Sequence, residues 1–288
     1  MIPLNAKNIC FVSITLLLAS ILSCSRTIYP PRLMVQNYTV YYGSHPAADI
    51  SQFDLAIIDP DQIDDQGVHQ LRDSGTVVLA YLNLGEVERY RTWFDRVNPR
   101  WIIAANPDWS DHFIVDASQT GWQNLIVRHV VPQIYDKDFD GLFLDRIDIA
   151  DRYNFPHTRK GIVSIIRAIK QSYPEKFLIL NNGVFLGRSI FKIIDGILIE
   201  SLFMDYDSAS KSYLKKEAQE IEARIDELRF YHNKYGLTIF TLDYVPMPSH
   251  ELIQHVLQKS KENGFIPYIS TRELDKIFLN SINRRPVQ

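Results

Sequence analysis

Short apolar runs, most of them stopping at an acid or an amide, alternate with helical patterns along most of this chain. That alternation limits the possible folds more than any other feature. The runs are YTVYYG (38–43), LAIID (55–59), VVLAYLNLG (77–85), FIVD (113–116), GLFLD (141–145), FLILNN (177–182), GILIES (196–201) and TIFTLDY (238–244). Apolar runs of this length between turn residues read as buried strands. Between most of them the apolar residues change to helical spacing. Pro60-Asp61 opens one such stretch and Gly75 closes it. Ser118 and Thr158 stand at cap positions of two more, the first carrying Trp122, Leu125, Ile126, Val130 and Ile134, the second Ile162, Ile165, Ile166 and Ile169. Leu214, Ala218, Ile221, Ile225 and Leu228 paint one face of the longest, and Ser249 begins the last. Eight β-runs alternating with helices over about 240 residues predict an α/β chain folded as one (β/α)8 TIM barrel. An open doubly wound sheet is the alternative. FIPYIS (265–270) is a ninth candidate and reads as an accessory C-terminal strand.

The first residues follow a different logic. Lys7 supplies a positive charge, residues 9–21 are apolar, and Leu22-Ser23-Cys24 closes the run. The apolar core is too short for a membrane-spanning helix, so residues 1–23 read as a secretory signal. Ser23-Cys24 resembles a bacterial lipobox, which implies cleavage there and lipid on Cys24. Ser25 in place of Asp points to outer-membrane sorting. The expected organisation is signal 1–23, tether 24–36, barrel domain 37–280 and C-terminal tail 281–288. Cys10 leaves with the signal, so the mature chain keeps one cysteine, which excludes an internal disulfide or thiolate metal site. A formal net charge of −3 without a basic cluster argues against nucleic acid. A monomer tethered to a membrane is expected.

In a barrel the active site forms at the carboxyl ends of the strands. Those ends carry Tyr41 and Tyr42, Asp59, Asn83 with Glu86, Asp116, Asp145 with Asp148, Asn181 with Asn182, Glu200, and Asp243 with Tyr244. Helix capping accounts well for Asp59 and Asp116 and for Asp148 in part. It accounts poorly for Glu200, since Glu is a weak cap and the chain continues apolar. The segments DGLFLDRID (140–148) and DGILIES (195–201) share one design. In each, alternate residues face the same side: Gly141, Phe143 and Asp145 in the first, Gly196, Leu198 and Glu200 in the second. Two carboxyl groups on rigid strand ends are what hydrolysis of a glycosidic bond requires, one protonated and one ionised. Glu200, among leucines, is expected to hold its proton and act as the acid. Asp145 is the expected nucleophile or base, with Arg146 pointing to the opposite side. Tyr42, Asp59, Tyr81, Asn83, Glu86, Asp116, Asp148, Asn182, Asp243 and Tyr244 are the expected substrate contacts. Trp93, Trp101 and Trp109 lie on a long segment (87–112) that reads as an elaborated loop over the mouth. The eight histidines are scattered, with no metal-binding spacing, and neither a serine-hydrolase elbow nor a phosphate loop is present. No cofactor and no metal are expected.

The succession FDLAIIDP, VVLAYLNLGEVERYRTWF, DGLFLDRID, LNNG, DGILIESLF and TLDYV resembles the barrel of glycoside hydrolase family 114, the endo-α-1,4-polygalactosaminidase and spherulin-4-like group, over about residues 38–277. The resemblance implies a catalytic acid pair at Asp145 and Glu200, with Asp59 and the YLNLGEVE segment also matching the family pattern. Fungal members carry Glu-Pro-Asp-Asn where this chain has Phe-Leu-Asp-Arg, a departure that bears on substrate more than on chemistry. The implied substrate is a cationic, partly deacetylated galactosaminogalactan, which an acidic mouth would attract. The reading from a different class is a non-catalytic polysaccharide-binding envelope lipoprotein on the same scaffold. A metal-dependent phosphodiesterase or deacetylase is a third.

Overall fold

The computed structural model describes residues 33–43, 48–149, 156–207, 210–246 and 250–279. The expected signal, Cys24, most of the expected tether and the expected C-terminal tail lie outside the described residues. Eight parallel strands form one sheet in chain order: β1 (Tyr38–Tyr41), β2 (Leu55–Ile58), β3 (Val77–Asn83), β7 (Gly141–Asp145), β8 (Phe177–Asn181), β9 (Gly196–Glu200), β12 (Thr238–Tyr244) and β13 (Ile266–Ser270). The first and last come together as a barrel closes, with the Tyr42 N–H donating to the Leu274 carbonyl at 2.8 Å.

Two apolar cores follow from the period-two alternation of strands. Val40, Leu55, Ile57, Leu79, Phe143, Ile179, Leu198, Phe240 and Tyr268 fill the barrel. Ala56, Ile58, Val78, Leu142, Leu144, Leu178, Ile197 and Ile199 face outward against the helices. Burial on both faces is why these strands read as continuous apolar runs and not as alternating ones. The long helices run Asp65–Asp73, Pro156–Ser172, Ala218–Tyr235 and His250–Glu262. Asp64 caps the first by accepting from the Gly67 N–H, and Gly236, left-handed at φ 71°, ends the third.

The expectation that FIPYIS is accessory is corrected: it supplies β13, the eighth barrel strand. FIVD is instead part of β6 (His112–Val115), outside the barrel. That strand pairs antiparallel with β4 (Glu86–Glu88) and β5 (Ile102–Ala105) in a small three-stranded sheet inserted after β3. Its burial shows the difference, since His112 and Phe113 are only half-buried. A second insertion, the hairpin of β10 (Met204–Asp207) and β11 (Ser212–Lys215), follows β9. The expected Ser118 cap is also absent. Asp116 organises that turn, accepting from the Ser118 N–H and hydroxyl, and the helix starts at Thr120.

The Asp-Gly steps that open both acid-bearing strands do more than turn the chain. Asp140 accepts from the Val78 N–H and Asp195 from the Leu178 N–H, each fastening the strand before it. A Cβ on Gly141 would stand 2.3 Å from the Phe177 carbonyl oxygen, and one on Gly196 would stand 2.8 Å from that of Thr238. Both glycines are needed for close strand approach, although neither has a positive φ.

Candidate active site

Asp145, Asn181 and Glu200 are the last residues of β7, β8 and β9, three neighbouring strands. Each continues the inward-facing set of its strand, so all three reach the carboxyl-end mouth of the barrel. Asn181 joins the two acids. Its Nδ2 donates to Asp145 Oδ1 at 2.7 Å and to Glu200 Oε1 at 2.6 Å. The Tyr244 hydroxyl donates to the other Glu200 oxygen at 3.1 Å, and the Arg146 N–H to Asp145 at 2.7 Å.

Directly after each of these residues the backbone turns left-handed, at Arg146 (φ 52°), Asn182 (φ 53°) and Ser201 (φ 55°). Such turns cost non-glycine residues about 1–2 kcal/mol each, and strain of this kind concentrates at functional sites. The turn at Arg146 overrides the alternation that predicted an outward side chain. Its guanidinium lines the cleft and pairs with Glu86 at 2.7 Å.

The cleft has a volume of about 610 Å³. Of the expected contacts, Tyr42, Asp59, Tyr81, Asp148, Asn182 and Tyr244 line it. Four stand elsewhere. Asn83 is buried behind Tyr81, accepting from its hydroxyl and donating to Glu88. Glu86 is fully buried under Arg146 and Asn106. Asp116 holds the turn already described. Asp243 has the outward parity of β12 and is fully buried, accepting from the Phe203 and Met204 N–H groups. Parity separates Asp243 from Tyr244, whereas Asn83 has the inward parity of Leu79 and Tyr81 and is covered by the latter, and Glu86 and Asp116 belong to the insert after β3. Trp93 packs in the core on Trp122, and Trp101 is half-buried, while Trp109 reaches the cleft. Asn181 was legible as an inward-facing amide but was not singled out as a bridge. Tyr90, His112, Asp205, Tyr206 and Arg272 also line the cleft, from inserts and loops without periodicity to mark them.

Behind the wall lies a buried ionic cluster. Arg91 makes two bonds to Glu88, at 2.8 and 3.0 Å, and reaches Asp59 at 2.6 Å and Asp61 at 3.0 Å. Tyr90 donates to the second Asp59 oxygen at 2.9 Å. This cluster fixes the Tyr81 and Tyr42 side of the cleft, where the two ring centres lie 4.7 Å apart with their planes tilted by 53°.

The acids are electrostatically unequal. Burial, and then the neighbouring Asp145 carboxylate, push Glu200 up to about 7. Burial also raises Asp145, where the Arg146 charge is the largest opposing influence and the Asn181 hydrogen bond the next. Of the pair, Glu200 therefore keeps the proton near neutrality. Burial alone would raise Glu86, yet His112, Arg146 and Asn106 hold it below the usual range, so Arg146 keeps an ionised partner. Among the described residues, no group of three or more His, Cys, Asp or Glu is arranged to hold a metal ion.

The raised Glu200 pKa has a stability consequence with a definite sign. Its favourable contribution is complete below its unfolded value of about 4.3 and is lost as pH rises through about 7. Glu200→Gln is thus expected to melt above wild type at pH 8, with the gain gone near pH 4. Thermal unfolding at the two pH values measures this, and an equal offset at both would contradict the assignment.

A barrel with an amide-bridged Asp–Glu pair at the mouth has the parts a glycoside hydrolase uses. The chain belongs to glycoside-hydrolase family GH114, which it matches over residues 24–283. Its fold is similar to the glycoside hydrolase domain of PelA from Pseudomonas aeruginosa, with TM-score 0.76 and 20% identity, covering 85% of this chain and 98% of that one. It is also similar to Ega3 of Aspergillus fumigatus, solved as a complex with galactosamine, with TM-score 0.70 and 15% identity over 86% and 95% of the two chains. In sequence it is 26% identical to an uncharacterized protein of Thermotoga maritima, over 96% of this chain and 94% of that protein.

Proposed function

We propose that this glycosidase cleaves an α-linked amino-sugar polysaccharide resembling galactosaminogalactan, in the manner of an endo-α-1,4-polygalactosaminidase. Asp145 is the nucleophile and Glu200 the general acid. The observation that carries the reading is the single Asn181 amide bonded to both acids. Two bonds of 2.7 and 2.6 Å from one nitrogen keep the bridged oxygens no farther apart than those bonds laid end to end. That ceiling is short of the roughly 6.5–9.5 Å that leaves room for an inverting water and favours the closer spacing, roughly 5–5.5 Å, of retaining enzymes. In the first step Glu200 gives its proton to the leaving oxygen while Asp145 attacks the anomeric carbon and the glycosidic bond breaks. In the second, Glu200 takes a proton from water, which displaces Asp145 and frees the sugar.

The substrate class is supported by the acids that line the cleft, among them Asp108, Asp148, Asp205 and Glu273, which outnumber its arginines, Arg146 and Arg272. These acids favour a cationic chain. The galactosamine held by the structurally similar Ega3 agrees with this. The test is reducing-end release from a panel of polysaccharides, followed by proton NMR of the first product. Partly deacetylated α-1,4-galactosamine polymer is expected to be cut, with the α-anomer appearing before mutarotation. Initial release of the β-anomer would contradict the nucleophile role.

The Leu22-Ser23-Cys24 sequence supports a further part of the proposal, that lipid on Cys24 holds the enzyme in the cell envelope. Cys24→Ala is expected to move the protein from the membrane fraction to the soluble one. An unchanged distribution would remove the anchor.

A further inference from the structure

The Arg272 guanidinium stands against two aromatic rings at once. Its carbon lies 4.8 Å from the Trp109 ring centre and 5.2 Å from that of Tyr206. The three residues come from three separate excursions at the same end of the barrel. Trp109 lies between β5 and β6, Tyr206 is on β10, and Arg272 is two residues past β13. All three line the cleft that holds Asp145 and Glu200. Each ring is preceded in sequence by a carboxylate that also lines the cleft, Asp108 and Asp205. Among the described residues, Arg272 is in no ion pair with a carboxylate, and its aromatic contacts are what hold it.

Two π faces thus meet at a position where the protein supplies a cation, in a cleft that Asp108 and Asp205 also line. We propose that the space between Trp109 and Tyr206 is a subsite for a cationic hexosamine unit, and that Arg272 fills it in the free enzyme and withdraws as the sugar enters. This rests on the amino-sugar reading above. A protonated amino sugar offers an apolar pyranose face to one ring and an ammonium to the π faces and nearby acids. A neutral hexose offers only the first. Arg272 lies beyond the end of β13 on a long side chain, so its withdrawal leaves the barrel strands in place. The incoming ammonium replaces the outgoing guanidinium, and the acidic surroundings keep a counter-charge throughout.

The test is the binding of α-1,4-galactosamine oligosaccharides to the Glu200→Gln protein, which holds substrate without cutting it. Adding Arg272→Ala is expected to tighten binding by roughly three- to tenfold, the scale of the cation–π contacts released. Arg272→Gln, which keeps most of the side-chain bulk, is expected to tighten it in the same direction. Trp109→Ala or Tyr206→Ala is expected to weaken it by about tenfold. In protein lacking both rings, Arg272→Ala should bring no gain, because the slot it frees no longer exists. A gain that survives without the rings reflects removal of a charge alone and overturns the proposal. Weaker binding on loss of Arg272 overturns it as well, by making the arginine a substrate contact. Wild type that leaves galactosamine polymers uncut removes the amino-sugar reading. Wild type that cuts them, with no tightening from Arg272→Ala, removes only the subsite. Oligosaccharides that fail to bind at all remove both.

Discussion

Asp145→Asn and Glu200→Gln are each expected to lower kcat on the polymer by at least about a thousandfold, with KM changed far less. The size follows from what each group does. Without the Asp145 carboxylate there is no nucleophile positioned at the anomeric carbon, and water must react unaided. Without the Glu200 proton the leaving oxygen departs as an alkoxide. The two variants differ in a way that identifies the roles. An aryl glycoside, whose phenolate leaves without help, should recover much of its first-step rate in Glu200→Gln and none in Asp145→Asn. Both substitutions keep side-chain volume, and the amides can still meet Asn181, so circular dichroism should show an intact fold. Wild-type turnover in either variant would end the assignment, and equal loss on both substrates would leave the acid unidentified with Glu200.

Arg91→Met is expected to destabilise the protein by about 3–5 kcal/mol, the cost of removing one partner from a buried ionic cluster. Arg91, Asp59 and Glu88 are all nearly inaccessible to water, at 5%, 4% and 1% exposure. Methionine fills the space but leaves the Asp59, Asp61 and Glu88 carboxylates without the cation they share. For a domain of this size the melting midpoint should fall by about 10 °C. Equilibrium denaturation gives the free energy, and adding Asp59→Asn and Glu88→Gln to Arg91→Met should return much of it. A loss under about 1 kcal/mol would show that water reaches the cluster. Catalysis should suffer as well, because Arg91 bonds Asp59 and Glu88, which line the cleft, and Glu88 in turn holds Asn83 and Tyr81.

The barrel strands were legible because both faces of each are buried, which leaves an uninterrupted apolar run in the sequence. The two acids were legible because the runs end in them and alternation assigns them a side. Where the reading went astray, a one-dimensional pattern had two physical causes. FIVD and FIPYIS have similar composition, and only pairing distinguishes an insert strand from the closing one. Asp243 and Tyr244 are adjacent at one strand end, yet parity buries the first and exposes the second to the cleft. Arg146 escaped alternation because its backbone turns left-handed, which no residue type announces as glycine would. The inserts that bring Trp109 and Tyr206 over the mouth depend on tertiary docking, and their local sequence carries no trace of the partner they meet.

The Asp-Gly step at the foot of β7 recurs at the foot of β9, and in each the aspartate bonds the strand before while the glycine packs on the strand after. Height within the barrel is therefore set twice, from the end remote from the chemistry. A strand slipping by a single residue would turn its acid outward, and a slip of two would raise or lower it by more than the length of a hydrogen bond. The foundations of these two staves act as a gauge for the gap above them. An enlarged residue at either foot would be felt as a misaligned reaction almost a full strand length away, with the mouth itself unaltered in composition.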